Sequence, residues 1–253
     1  MNVETVKRQL RSLRLPAAAR ELEDVLLQHR KAVSLDWLSD LLSRELDARK
    51  QNAVQFRFKQ AGFPASVTLE TFDFRFNPSI DEARIRELAS LKFIDEHGIA
   101  LLLGPPGVGK THVALALGLA AIHQGHRVYF ATQKQLIEHL TVAKNQGSLD
   151  RFFRRLLSCQ LWIIDDWAAV SMNREIAEEV FDLIDRRKYS SGLVLTSNRA
   201  VEEWNEVFPN NVLANATIDR LFEQAHTIVL QGKSYRLRGR IPTPALDSVT
   251  GNS

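Results

Sequence analysis

One cysteine in 253 residues leaves no partner for an internal disulfide, so a disulfide-stapled secreted module is excluded and a reducing cytoplasm fits best. Cys159 stands at the mouth of an apolar run and reads as a small core residue. No apolar stretch approaches the ~18 residues that span a bilayer, so no membrane segment is expected. The opening MNVETVKRQLRSLRL is amphipathic, unlike the charged-then-apolar pattern of a signal peptide. Internal repeats are missing, and only PTPALDSVTGNS at the end reads as disordered, giving a tail over 241–253. No N-K-x-D element that would read guanine occurs, which argues against a GTPase. No Arg-rich lid of the small-molecule-kinase type lies within the core.

What is present is an ordinary globular mixture, 45% hydrophobic and 25% charged, long enough for one core and a smaller appended domain. Net charge is only +3, but its distribution is uneven. Residues 1–61 carry twelve Lys/Arg against eight Asp/Glu, and KSYRLRGR at 233–240 carries four basic residues and no acid. Basic ends around an acidic middle suit a polyanion; solvated helix faces are the alternative.

Periodicity divides the chain. Val6, Leu10 and Leu13 share one helical face, and Pro16 breaks that helix. Leu22, Val25 and Leu26 mark a second helix. Ser34 caps a long third one with Leu35, Leu38, Leu42, Leu46 and Val54 along one stripe. Residues 1–66 therefore read as a helical domain for oligomerisation or for DNA or partner contact. TLETFDFRFNPSI follows as an aromatic linker over 67–80. From 81 to 240, short apolar runs at 99–103, 127–131, 161–165, 193–197 and 226–230 alternate with helical stretches. That alternation predicts an α/β core, a five-stranded parallel sheet covered by helices on both faces.

The chemistry concentrates at GPPGVGKT, residues 104–111, between the first apolar run and a helical pattern. Average residue usage yields G-x-x-x-x-G-K-[ST] by chance on the order of once in a hundred chains of this length. Gly104, Gly107 and Gly109 let backbone N–H groups converge on phosphate oxygens, and Lys110 adds a charge for the β- and γ-phosphates. Thr111 offers a hydroxyl to Mg²⁺, and the helix beginning there turns its positive end to the phosphates. Pro105, Pro106, Val108 and His112 complete the nucleotide-holding segment.

A metal also needs a carboxylate at a neighbouring strand end, and LWIIDD supplies Asp165 for Mg²⁺ through water. Asp166 either orients and deprotonates the attacking water or caps the following helix. LVLTSNR brings Asn198 to the γ-phosphate side, where its amide would hold that water. Arg220, in ATIDRLFEQAH, either points into a neighbouring subunit's nucleotide or pairs with Asp219 or Glu223 on its own surface. Arg236 in GKSYRLR is a candidate for the γ-phosphate. Trp167 and Trp204 are read as core or interface residues.

The order of these motifs, together with LRSLRLPAAARELE, TLETFDF and LTSNRAVEEW, resembles the IstB-like ATP-binding proteins, transposition helper ATPases of bacterial insertion sequences. These are AAA+ relatives of the helicase loader DnaC and the initiator DnaA, and the likeness runs over nearly the whole chain. The resemblance implies an AAA+ P-loop core, ATP hydrolysis with Mg²⁺, homo-oligomeric assembly on double-stranded DNA, and stimulation of a DDE-type transposase. It gives Lys110, Thr111, Asp165, Asp166, Asn198 and Arg220 the roles above and brings Phe72 and Phe74 near the adenine. Only 23 residues follow Leu230, too few for a full C-terminal helical lid, which leaves Arg236 without that lid's support.

Assembly would align basic residues along the duplex backbone: Arg44, Arg49 and Lys50 from the helical domain, and Lys134, Lys144, Arg151, Arg154 and Arg155 from the core. Contacts of this kind are salt-sensitive and read little sequence. A helicase loader of the DnaC kind would use the same nucleotide parts; a transposase gene immediately upstream would single out the helper.

Overall fold

The computed structural model describes residues 3–28 and 34–238, so the expected tail at 241–253 lies outside the described residues. The chain divides into two compact units, up to Arg57 and from Phe58 onward. That division falls about ten residues before the aromatic linker, and the third helix runs through it.

The first unit is helical: α1 (Val3–Ser12), α2 (Pro16–Gln28) and most of α3 (Asp36–Ala61). Pro16 opens α2, at the first helical position where a missing N–H costs nothing. Val6, Leu10, Leu13, Ala19, Leu35 and Leu42 form its small core, with Leu22, Leu26, Leu38 and Leu46 packed against it. Val25 is not part of this core: it is 45% exposed. The Ser34 hydroxyl accepts from the Asp36 N–H at 3.3 Å, tying down the start of α3. Gln9 crosses to α3, where its amide donates to Ser43 at 2.9 Å.

The second unit alternates helix and strand. Its elements are α4 (Glu82–Leu88), α5 (Lys92–Asp95), β1 (Ile99–Leu103), α6 (Lys110–His123), β2 (Val128–Thr132), α7 (Gln133–Asn145), α8 (Leu149–Leu157), β3 (Leu161–Trp167), α9 (Arg174–Arg187), β4 (Gly192–Ser197), α10 (Asn211–Phe222) and β5 (Ala225–Val229). Every strand pair is parallel, in the order β2-β3-β4-β1-β5. Each strand falls within one residue of the expected start; β1 to β4 do so because a run buried on both faces is continuously apolar, while β5, at the sheet edge, is only partly buried.

Polar side chains set the helix starts. Thr132 caps α7 in a reciprocal box with Gln135, Asn173 caps α9 through the Ile176 N–H, and Asn210 caps α10 through the Leu213 N–H. One face of the sheet packs Ile99, Leu101, Trp162, Ile164, Leu193 and Leu195 against α7 to α10. Trp167 and Trp204 are buried there, their rings 6.2 Å apart. The opposite face carries α6, and Gly118 on that helix leaves room for the Ile163 and Phe63 side chains.

Candidate nucleotide site

The loop from β1 to α6 closes at the carboxyl end of the sheet, and Gly109, with φ +104°, is the last residue before α6. A Cβ at Gly109 would run into the Phe72 ring, and one at Gly107 (φ +83°) into the Ser234 hydroxyl. These glycines therefore admit flanking protein segments as well as phosphate. Gly109→Ala is expected to cost about 1–3 kcal/mol through the left-handed backbone alone. A thermal melt should show it as a drop of several degrees; an unchanged melt would mean the loop relaxes freely.

Lys110 is 5% exposed, and its ammonium donates to the Gly104 carbonyl at 2.7 Å, the Pro105 carbonyl at 2.8 Å and Asn198 Oδ1 at 2.6 Å. Burial lowers its pKa to about 8, against the opposing pull of Asp166 and Asp165. Asn198 hands the connection on, its Nδ2 donating to Asp166 Oδ1 at 3.1 Å. Thr111 Oγ1 donates to Asp165 at 2.9 and 3.1 Å, and Thr196 Oγ1 donates to Asp165 Oδ1 at 2.6 Å. Lys110, Thr111, Asp165, Asp166 and Asn198, drawn from three parts of the sequence, are thus brought into one constellation. Asp166 does not cap the following helix, because Asn173 does.

The cavity above this constellation measures about 390 Å³ and is lined by Phe72, Phe76, Ile80, Lys110, Asp166 and Arg236 among others. Pro106, Gly107, Val108, Gly109, Thr111 and His112 also face it. Phe74 does not line it: the backbone turns at 73–76, which swings Phe72 and Phe76 to the cavity and leaves Phe74 against Phe72 and Arg86. Tyr235 and Asn77 line the cavity as well and escaped the sequence analysis. Asn77 is 5% exposed; its amide accepts from the Lys233 N–H at 2.9 Å and donates to the Lys233 carbonyl at 3.0 Å. The two segments that build this wall lie 156 residues apart, which hid their pairing. The third aromatic of TFDFRF and the tyrosine of KSYRLR were the available signals.

Arg220 sits at the end of α10, 36% exposed, with Nε donating to Asp185 at 2.8 Å and with Asp219 and Glu223 at 3.6 and 3.7 Å. It is not among the residues lining the cavity of its own chain. Among the basic candidates, Lys144 is held by Glu175 and Glu179, Arg49 by Glu45 and the Leu13 carbonyl, and Lys134 lies 4.0 Å from Glu138. Arg155 stacks over the Phe152 ring. Arg44, Lys50, Arg151 and Arg154 are exposed.

Thr111 and Asp165 offer only hard oxygen donors, and no group of three or more His, Cys, Asp or Glu residues with metal-holding geometry occurs among the described residues. That donor set fits Mg²⁺, which takes one or two protein oxygens and completes its shell with water and phosphate.

A parallel five-stranded sheet with the phosphate loop after β1, the paired aspartates on β3 and a polar strand end on β4 between them defines a P-loop ATP-binding core of the AAA+ class. The fold is shared with AMPPCP-bound DnaA from Aquifex aeolicus, at TM-score 0.57 and 18% identity over 70% of this chain and 53% of that one. A DnaC helicase loader matches at TM-score 0.52 and 21% identity over 59% of this chain and 87% of that one. The chain belongs to the IstB-like ATP binding protein family, whose pattern it matches over residues 8–242. It is 42% identical to the ATP-binding protein of insertion sequence IS21 from Pseudomonas aeruginosa, over 80% of this chain and 77% of that one. Among the described residues no helix is long and apolar enough to cross a membrane.

Proposed function

We propose that this ATP-binding protein is a transposition helper: it assembles on double-stranded DNA, hydrolyses ATP to ADP and phosphate, and stimulates a partner transposase. The observation that carries the reading is the hydrogen-bonded constellation of Lys110, Asn198, Asp166, Asp165 and Thr111 beneath a cavity of nucleotide size. A triphosphate entering there would draw the Lys110 ammonium from the loop carbonyls to its own oxygens. Asn198 and Asp166, already joined, would hold a water in line with the γ-phosphate, and Asp166 would take its proton. Thr111 and Asp165 would hold Mg²⁺, which would supply charge neutralisation to the phosphates when bound. Phe72, Phe76 and Tyr235 offer the base an aromatic wall.

Arg220 extends the reading to assembly. Its Asp185 pair is about one-third exposed, and such a contact would be exchanged at modest free-energy cost for a phosphate of the next protomer. A site completed from outside gives each subunit a front and a back, so the contacts build rings or spirals. Exposed Arg151 and Arg154 on α8, and Arg44 and Lys50 on α3, are the proposed duplex contacts; binding through them should weaken steeply with salt. Kinship with proteins named for insertion sequences favours a transposase over a replicative helicase as the partner.

Sedimentation with ATP and a duplex is the direct test. An assembly larger than a dimer is expected, together with hydrolysis stimulated by the duplex. A monomer that turns over ATP at one rate with or without DNA would sink the proposal.

A further inference from the structure

Successive residues of a regular strand point to opposite faces of a sheet. On β3 this puts Ile163 toward α6 and Ile164 into the core on the other face. Asp165 keeps the alternation, reaching Thr111 at the start of α6. Asp166 should then point away from the nucleotide, into the layer of α7 and α9. It lines the cavity instead.

The register explains why. Ile164 pairs with Leu195 and Trp167 with Ser197, so Asp165 and Asp166 together stand opposite a single residue, Thr196. This is a β-bulge, the device by which a strand re-aims one side chain. Asp166 takes φ +54° there, a left-handed conformation that Asp and Asn tolerate better than most residues. The bulge is confined to the β4 side, because β2 still pairs Thr132 with Asp165 in register.

Thr196 is 0% exposed, and its one hydroxyl serves both aspartates. It donates to Asp165 Oδ1 at 2.6 Å and accepts from the Asp166 N–H at 3.1 Å. The second bond replaces the ladder partner that the extra residue loses. Past the bulge, Ser197 Oγ donates to the Trp167 carbonyl at 2.8 Å and restores the pairing.

We infer that Thr196 is a positioning residue: its hydroxyl locks the bulge that turns Asp166 to the nucleotide, and the same hydroxyl fixes the carboxylate rotamer of Asp165. The inference rests on the proposed reading of the site as a Mg²⁺-dependent ATPase. Thr196 touches neither nucleotide nor metal in that reading; it acts through both aspartates at once. Without the hydroxyl, the Asp165 carboxylate would keep only its Thr111 bond, and a part-buried N–H at the bulge would lose its partner.

Thr196→Val keeps the branched shape and removes the hydroxyl, and Thr196→Ser keeps the hydroxyl. Two readouts apply: turnover, and equilibrium binding of a non-hydrolysable ATP analogue in excess Mg²⁺ and in EDTA. The Val chain is expected to bind the analogue normally in EDTA, lose about tenfold of the affinity gained on adding Mg²⁺, and turn over about 10- to 100-fold more slowly. The Ser chain should recover most of both. A folded Val chain with native Mg²⁺ gain and native turnover overturns the inference; so does one that no longer binds the analogue in EDTA, since the phosphate loop itself would then have failed. If the Val chain does not fold, Thr196→Ala replaces it, and equal losses in Ala and Ser overturn the inference. A native chain that neither hydrolyses ATP nor binds its analogue more tightly with Mg²⁺ removes the proposed function itself, an outcome distinct from these.

Discussion

The Lys110→Ala chain is expected to bind ATP at least about a hundredfold more weakly than the native one, with its thermal midpoint changed by only a few degrees. The loss follows from what surrounds the ammonium. Its three hydrogen-bond partners are two loop carbonyls and an amide oxygen, with no carboxylate among them. Burial has already taken water from the cation and lowers its pKa to about 8. Phosphate oxygens would give this ammonium the full negative charges it lacks, and hydrogen bonds to charged groups contribute about 1.5–3 kcal/mol each. A hundredfold loss corresponds to about 2.8 kcal/mol, within reach of one or two of them. Stability should move less: the desolvation cost of the cation disappears together with its bonds to the loop. An equilibrium titration with a fluorescent ATP analogue, run beside a melt, separates the cases. Native affinity would remove Lys110 from the site, and a collapsed melt would make it a builder of the loop rather than a ligand of phosphate.

Much of this was legible in the sequence because the informative features are local. Four of the five strands are largely buried runs such as IALLL and LWIID, and burial on both faces favours a continuously apolar composition, whereas β5 (AHTIV), at the sheet edge, is partly exposed. GPPGVGKT is likewise a local solution to a local problem. Asp165 and Asn198 were found because each ends a run whose strand had to finish beside the phosphate loop. The wall of the cavity was not legible, because it depends on a pairing between Asn77 and Lys233 that no periodicity encodes. Phe76 was not named beside Phe72 and Phe74, because an aromatic-rich stretch does not show where the backbone turns. The ion pair of Arg220 with Asp185 joins α10 to α9, and sequence reading could name only its helical neighbours Asp219 and Glu223. The bulge on β3 left no trace in LWIIDDW; only the register against β4 exposes it. Lys144 looked available to DNA because its two glutamate partners, on α9, lie more than thirty residues away.

Asp166→Asn should hold ATP with nearly native affinity and hydrolyse it at least about a hundredfold more slowly, the size of effect general bases produce. The substitution is a clean one for this backbone. Asn is as tolerant as Asp of the φ of +54° that the bulge imposes, so the strand need not shift. The side-chain oxygen of Asn can still accept from Asn198 Nδ2, as Asp166 Oδ1 does at 3.1 Å. The Thr196 hydroxyl bonds the backbone N–H of residue 166, which the substitution leaves in place. What vanishes is one negative charge and the capacity to take a proton. Turnover should therefore fall while geometry and binding survive. If nucleotide is clasped at the seam between protomers, the variant should also stay on duplex DNA longer in ATP, because hydrolysis is what loosens the seam. Both quantities can be followed on one sample, phosphate release for the first and dissociation from a labelled duplex for the second. Undiminished turnover would strike Asp166 from the reaction. Slow turnover with unchanged release from DNA would keep Asp166 and break the proposed link between hydrolysis and disassembly.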